Sequence, residues 1–482
     1  MMKRNMVGKL ICVIQLIFSA TLMGVIYTGG MVPLKYQILA GVILLVLLAG
    51  AFGLQFLKNK AYLGGIVISV LVSIGCLTGI FYLLRADSAM QKIGGATYKT
   101  DNMVVVVKQS CTATELKEAG NYRFGKQTAA DQDNTNLMVD KIQEVVGREI
   151  NITDYASVQD LAQALLKGEI EAAIYNEAFD GILNEAIEGY TDQVKILYQY
   201  GIDTKLNLEK ENTVVDDAQP YSQDTFSFYI SGIDVSGPIT TNSRSDVNII
   251  ATVNTKTKQI LLTTTPRDYY VPLPNVSGGL RDKLTHAGIY GVDVSMDTLG
   301  ELYGIDIQYY ARVNFTSLIK MVDTLGGIDV YSEYAFEARG CSFNKGMNHM
   351  NGEQALAFAR ERYSFEAGDN QRGKNQEAVL TAMIRKAMTP AVLTHANELL
   401  AQVSDSMETN MTQEEMASLI KMQLNDNASW NIVSTNVVGT GDKTTCFSMG
   451  SMQVYVMWPD ENSVAQISQK MKQVLNGETI TE

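Results

Sequence analysis

Arginines and carboxylates crowd four short stretches of this chain, each set beside apolar sequence. The first holds Gly232, Asp234, Arg244, Ser245 and Asp246, and the second is Pro266, Arg267 and Asp268, directly after an apolar run. The third carries Arg281, Asp282, Lys283, Thr285 and His286. The fourth couples Arg360, Glu361 and Arg362 with Gly368, Asp369, Arg372 and Gln376. A guanidinium is a planar, permanently charged fork that grips phosphate oxygens in pairs. Asp234 and Asp246 are hard oxygen ligands of the kind Mg²⁺ takes while it keeps waters and bridges to phosphates. Such a set could hold a diphosphate and stabilise charge on a departing phosphate.

Ordinary surface pairing is the plain alternative: Arg244 with Asp246, Arg267 with Asp268, Arg360 with Glu361. Exposed pairs of that kind are common and worth about 0–1 kcal/mol. Were 360–362 extended, Arg360 and Arg362 would point the same way, because strand side chains alternate. His286 offers a base in principle, but its setting between Lys283 and Ala287 reads as the rim of a helix, where histidine packs or caps. Charges spread along a sequence need not converge, so the residues alone specify an anion site that a fold must assemble.

What positions them begins at a membrane. Residues 10–27, 36–57 and 61–84 are three apolar runs, each long enough to cross a hydrocarbon core at about 1.5 Å per helical residue. A cleaved signal peptide would show one shorter block. Lys3, Arg4 and Lys9 precede the first run, and Lys58 and Lys60 separate the second and third. The positive-inside rule therefore puts the N-terminus in the cytoplasm and everything beyond about Arg85 outside. The net charge of −13 argues against nucleic acid, which needs a basic footprint. Cys12, Cys76, Cys111, Cys341 and Cys446 form no C-x-x-C pair and no cysteine/histidine cluster in the sequence, which argues against zinc. Cys341 and Cys446 are either a bridge or free thiols.

Outside the membrane block, residues 97–215 alternate strand and helix patterns: strands at 103–107, 149–152 and 172–175, helices around 137–146 and 158–166, with Gly168 as a stop. This predicts a small α/β accessory domain. Residues 204–219 read as a polar linker. A second unit, 222–476, has strand patterns at 226–230, 247–253, 259–264 and 328–330. The stretch 315–325 spaces Phe315, Leu318, Ile319, Val322 and Leu325 as one buried helix face, ended by Gly326 and Gly327. Asn351 and Gln354 suit a capping box. The whole predicts an α/β fold with helices flanking a sheet.

In their order these residues resemble the LytR–CpsA–Psr family, and within it the capsule-attachment members. The likeness rests on Gly232, Asp234, Arg244, Ser245 and Asp246; Pro266, Arg267 and Asp268; Asp282 through Ala287; Val313, Asn314 and Phe315; Val322, Asp323, Gly326 and Gly327; Asn351 through Ala357 with Ala359, Arg360 and Arg362; and Gly368, Asp369 and Arg372. Each motif is weak alone, and their succession behind a membrane anchor is specific. The resemblance implies a helix-flanked sheet with a greasy channel for a polyprenyl tail, preceded by an accessory domain and three membrane helices. It implies Asp234 and Asp246 as the Mg²⁺ ligands, and Arg244, Arg267, Arg360, Arg362, Arg372 and Gln376 as the pyrophosphate grip, with Lys283 assisting. Asp234, Asp246 and Arg267 would carry the catalysis. Asn375 stands where members often have an arginine, and the neighbouring Lys374 could supply that charge.

The activity so implied is Mg²⁺-dependent transfer of capsular polysaccharide, as glycan phosphate, from a polyprenyl-pyrophosphate carrier to peptidoglycan at the outer face of a bacterial membrane. Capsule assembly proteins would be further partners. A non-catalytic membrane scaffold of capsule assembly and a polyprenyl-pyrophosphate pyrophosphatase are the competing readings.

Overall fold

A computed structural model describes residues 2–57, 60–206, 224–233, 239, 242–366, 368–389, 404 and 407–480. Asp234 and most of the expected linker lie outside these residues.

Helices α1 (Met2–Thr28), α2 (Leu34–Leu54) and α3 (Ala61–Ile93) are each long and apolar enough to cross a membrane. Lipid tails are as apolar as leucine, so helix association in a bilayer relies on close approach of small residues. One face of α3 buries Gly65, Ser69, Ser73 and Cys76. Cys12 of α1 meets Ser69 at 3.4 Å, and Ser19 meets Cys76 at 3.8 Å.

The next unit is a five-stranded sheet with two helical layers. Its strands are β1 (Tyr98–Lys108), β2 (Arg123–Gln127), β3 (Asn151–Tyr155), β4 (Ala172–Asn176) and β5 (Val194–Lys205), in the order β3-β2-β4-β1-β5. The helices are α4 (Gln132–Val146), α5 (Val158–Lys167), α6 (Asp180–Ala186) and the short α7 (Tyr190–Gln193). Alternation along β1 decides the layers. Met103, Val105 and Val107 pack with Met138 and Ile142 of α4. Val104 and Val106 face Leu161 and Leu165 of α5 and Ile182 of α6. The second of these cores continues into Ile289, Cys446, Met449, Val454 and Val456 of the larger unit. An apolar core therefore runs across the junction between the two sheets.

The larger unit centres on a mixed six-stranded sheet. Strands β6 (Thr225–Ile233), β7 (Ser245–Asn254) and β8 (Gln259–Thr264) form its antiparallel middle. The hairpin β9 (Tyr270–Pro272) with β10 (Arg281–Lys283) follows, then α8 (Leu284–Tyr290) and α9 (Val292–Tyr303). Strand β11 (Tyr309–Asn314) joins β6 in parallel and leads into α10 (Phe315–Thr324). A satellite of small pairs comes next: β12 (Ile328–Ser332) with β15 (Gly346–Met350), and β13 (Phe336–Ala338) with β14 (Cys341–Phe343). Then come α11 (Gly352–Arg360) and α12 (Asp369–Ala387), strand β16 (Met407–Thr409) at the β11 edge, and α13 (Gln413–Asp426). Strand β17 (Asn431–Asn436) closes the sheet parallel to β8. The pair β18 (Gly439–Thr445) and β19 (Gln453–Pro459) and the helix α14 (Glu461–Leu475) end the chain's described fold.

Alternate residues again face opposite layers. Ile250, Leu261, Tyr310 and Val433 pack on α9 and α14, whereas Ile249, Leu262, Tyr309 and Ile432 face Leu380 and Ile384 of α12 and Leu419 of α13. The sheet is thus flanked by helices on both faces, as its near-continuous apolar strands require. Helix α13 also rests on the membrane block: Ala417 packs with Met31, Ala86 and Met90, and Lys35 donates to the Asn425 carbonyl at 2.7 Å.

Several sequence expectations shift. The strand expected at 149–152 forms at Asn151–Tyr155. All five cysteines are free; Cys341 sits in a satellite hairpin and Cys446 in the shared core, so the optional bridge is not made. The capping box at Asn351 and Gln354 forms, and Gly326 and Gly327 take the positive φ values of 74° and 85° that let the chain leave α10.

Candidate active site

Sheet topology brings the remote charged stretches to one edge. Because β6 runs antiparallel to β7, and β11 and β6 are parallel, the end of β6, the start of β7 and the end of β11 coincide: Ile233 pairs with Ser245 and with Asn314. Strands β8 and β17 also finish on this side, with Thr264 opposite Asn436. Such carboxyl ends, where loops leave the sheet, are where α/β folds put their ligands. Here lies a cleft lined by Asp246 and Asn248 from β7, by Thr264, Thr265, Pro266 and Arg267, and by Asn436 and Val437. Its far wall is the first turns of α12, which contribute Arg372, Gly373 and Gln376. Arg372 and Gln376 are four apart, hence neighbours on one helix face. A Cβ added at Gly373 would stand 3.2 Å from Thr264 Cγ2, so a small residue lets α12 come close to β8.

Arg267 donates from Nη1 to Asp246 Oδ1 at 2.9 Å, and Thr285 Oγ1 donates to the same oxygen at 3.3 Å. The loop carrying Arg267 is pinned by its own backbone: Thr285 N–H reaches the Arg267 carbonyl and Leu284 N–H the Tyr269 carbonyl, both at 2.8 Å. From Arg267 the charges alternate outward. Asp268 lies 3.8 Å from Arg267 Nε and 3.5 Å from Lys283 Nζ. Lys283 then meets Glu185 at 3.1 Å, and Glu185 meets Arg244 at 3.5 Å. Burial pushes the Glu185 carboxyl up, but the Lys283 ammonium, with His286 and Arg244, outweighs this and holds it below the usual carboxylate range. Glu185 belongs to α6 of the smaller unit, and no motif in the sequence pointed to it.

Behind this row sits a buried polar cluster. Asp282 Oδ1 contacts His286 Nδ1 at 2.7 Å, and its Oδ2 accepts from the Ser448 N–H at 2.9 Å and from the Ser448 hydroxyl. Burial pushes Asp282 up, yet His286 and these donors hold it below the ordinary range. With Asp282 ionised, His286 Nδ1 carries the shared proton, and its Nε2 is buried with no hydrogen-bond partner among the described residues. Burial, with Asp282 beside it, pushes the Cys446 thiol well up. Asp282, His286 and Cys446 bring their ligand atoms within 4.8 Å of one another. Spacing could not show this cysteine/histidine cluster, because it is built from β10, α8 and a loop far along the chain. His286 stands in the first turn of α8, as its setting between Lys283 and Ala287 suggested, and packs there fully buried.

The structure therefore gathers Asp246, Arg267, Arg372 and Gln376 in one cleft and places Lys283 and Arg244 in a charged row that begins at Arg267. Arg244 pairs with Glu185 and not with Asp246. Arg360 and Arg362 do not line the cleft. Arg360 is the last residue of α11, not part of a strand, and lies over the Phe315 ring at 3.9 Å; Arg362 stacks on Tyr363 at 4.6 Å. Lys374 faces away, its Nζ 3.7 Å from Glu333, while Asn375 turns inward and donates to the Phe358 carbonyl at 3.3 Å. Sequence reasoning also passed over Glu377, whose buried carboxyl group accepts the Thr264 N–H through Oε1 at 3.1 Å. Among the described residues Asp246 is the carboxylate that lines the cleft, a donor suited to a cation that keeps most of its waters.

The profile of the LytR_cpsA_psr family matches residues 186–473. The chain belongs to this family. The match begins one residue past Glu185. Among its relatives, the polyisoprenyl-teichoic acid–peptidoglycan teichoic acid transferase TagU of Enterococcus faecalis is 31% identical over 259 residues, covering 53% of this chain and 81% of that protein. The TagU of Bacillus mycoides is 32% identical over 239 residues, covering 49% and 77%. The crystal structure of B. subtilis TagU is 29% identical, covers 54% of this chain and all (100%) of that one, and superposes with a TM-score of 0.42. The LytR_cpsA_psr domain here thus includes the six-stranded sheet, the cleft and the charged row up to Lys283, while the three apolar helices and most of the five-stranded sheet precede it.

Proposed function

We propose that this protein is a membrane-anchored transferase that moves a glycan phosphate from a polyprenyl-pyrophosphate carrier to peptidoglycan, with capsular polysaccharide as its cargo. The observation that carries the reading is the convergence of Asp246, Arg267, Arg372 and Gln376, from three separate segments, on one cleft. The relatives' names support lipid-linked glycopolymer transfer, and the motif likeness to capsule-attachment proteins supports the cargo.

Helix α12 supports the amphiphilic half of the substrate. From Arg372 and Gln376 at the cleft, a stripe at four-residue steps continues through Leu380, Ile384 and Met388, which pack with Ile249, Leu262 and Ile432 of the sheet. A diphosphate head at the arginine end would lay its prenyl tail toward that apolar run of about 12 Å. Helix α13, which packs on the same core, rests against the membrane helices. The cation distribution around the apolar helices supports an outer-face position for this region.

In the reaction, an acceptor sugar hydroxyl attacks the phosphorus nearer the glycan, the bond to the bridging oxygen breaks, and polyprenyl monophosphate leaves. Arg267 and Arg372 bind the non-bridging oxygens and neutralise the charge that builds on the leaving phosphate. Asp246 orients Arg267, and with Asp234 it would hold Mg²⁺. When bound, that ion supplies further neutralising charge on the diphosphate. An aspartate assists removal of the hydroxyl proton.

Purified full-length protein, a synthetic polyprenyl-pyrophosphoryl glycan, Mg²⁺ and peptidoglycan test this. Covalent glycan on the wall polymer, lost in Arg267→Ala, is the expected result. Release of glycan phosphate with no linkage would favour a pyrophosphatase, and no turnover together with wild-type capsule retention by Arg267→Ala would favour a scaffold.

A further inference from the structure

Arg244 and Lys283 belong to the larger unit, yet both end on a helix of the smaller one. Helix α6 offers them two residues four apart, hence on one face. At Gly181 there is no side chain, and the Arg244 guanidinium lies so close that an added Cβ would stand 2.7 Å from its Nε and 2.8 Å from its Cζ. At Glu185 the carboxylate meets Arg244 Nη1 at 3.5 Å and Lys283 Nζ at 3.1 Å. The Lys283 side chain is only 5% exposed and also meets Asp268 at 3.5 Å. The junction holding α6 here is apolar: Ile182 and Phe179 pack with Ile289, Cys446 and Val456. The glycine and the carboxylate are therefore presented to the charged row by a packed core.

We infer that the smaller unit completes the anion site: Gly181 seats Arg244, and Glu185 is a built-in competitor for substrate phosphate at Arg244 and Lys283, so α6 sets the affinity for a prenyl diphosphate. The inference rests on the diphosphate reading of the cleft. A carboxylate presents two oxygens to a guanidinium much as a phosphate does. Its negative charge opposes an incoming diphosphate and its removal leaves the row one charge more positive. A methyl at position 181 meets the end of a flexible arginine instead of backbone, so Gly181→Ala displaces Arg244 without disturbing the fold. The two changes act in opposite directions, which a contact that merely glues two units together cannot do.

The test is equilibrium binding of geranylgeranyl pyrophosphate to full-length protein in detergent micelles with Mg²⁺. Glu185→Gln should bind about tenfold tighter and with a steeper salt dependence, because one opposing charge is gone. Gly181→Ala should bind about tenfold weaker, and in an Arg244→Ala background it should add no further loss. Wild-type affinity in both variants, or weaker binding in both, overturns the inference while leaving the diphosphate reading in place. No binding by the wild-type protein overturns the diphosphate reading itself, and this inference with it.

Discussion

Arg267 Nη1 and Asp246 Oδ1 lie 2.9 Å apart at the mouth of a cleft, their side chains 22% and 17% exposed. A partly buried carboxylate beside a guanidinium both aims the fork and offers its oxygens to a cation. Asp246→Asn keeps the shape and removes the charge. It should cut the transfer rate by about a hundredfold and abolish the response of that rate to added Mg²⁺. A Mg²⁺ titration of wild type and variant checks both expectations.

Glu377 makes stability depend on pH in an unusual direction. Burial pushes its carboxyl from 4.5 up to about 8. Between those values the folded chain keeps the proton that the unfolded chain has released, so the folded state binds more protons and stability falls as pH rises. Glu377→Gln can still accept the Thr264 N–H and has nothing to titrate. Melting curves should nearly coincide at pH 5 and separate at pH 8, with the variant several degrees more stable.

Asp282 is a structural residue on this account. Its carboxylate serves His286 and Ser448 in a site where all of them are buried. Asp282→Ala should cost about 3 kcal/mol of stability, since it orphans buried donors. Diphosphate affinity, measured well below the melting temperature, should change less than threefold. A calorimetric melt paired with a binding isotherm separates the two roles.

The apolar stripe of α12 should discriminate lipid from head group. Leu380→Asn should weaken geranylgeranyl pyrophosphate by about tenfold, the worth of one or two buried methylenes. Inorganic pyrophosphate, which touches no part of the stripe, should bind as before. Competition binding with the two ligands reads the difference directly.

Much of the fold was legible because its strands are buried on both faces. Runs such as 103–107, 247–253 and 259–264 carry β-branched or apolar residues with no helical period, and turn residues bound them. Helix ends were legible where they use side-chain chemistry, as at Asn351 or Gly326. What linear order could not reveal was convergence. Asp246, Arg267 and Arg372 meet because β6, β8 and β17 end on the side where β7 begins, a fact of strand direction. Arg360 and Arg362 share the family's motif and yet stack on the rings of Phe315 and Tyr363 without lining the cleft; α11 runs on to Arg360 instead of giving way to a strand. Glu185 was invisible for the opposite reason: a lone glutamate in the smaller unit gains meaning only from the neighbours the junction gives it.

Arg267 and Arg372, brought together from separate segments at one cleft, should grip one diphosphate. A double-mutant cycle on geranylgeranyl pyrophosphate binding measures this most directly, using Arg267→Ala, Arg372→Ala and the pair. Each single change should weaken binding by at least tenfold, and the double change should lose clearly less than the two combined, because both act on a shared ligand. Full wild-type affinity in either single variant, or strictly independent effects in the pair, would contradict it.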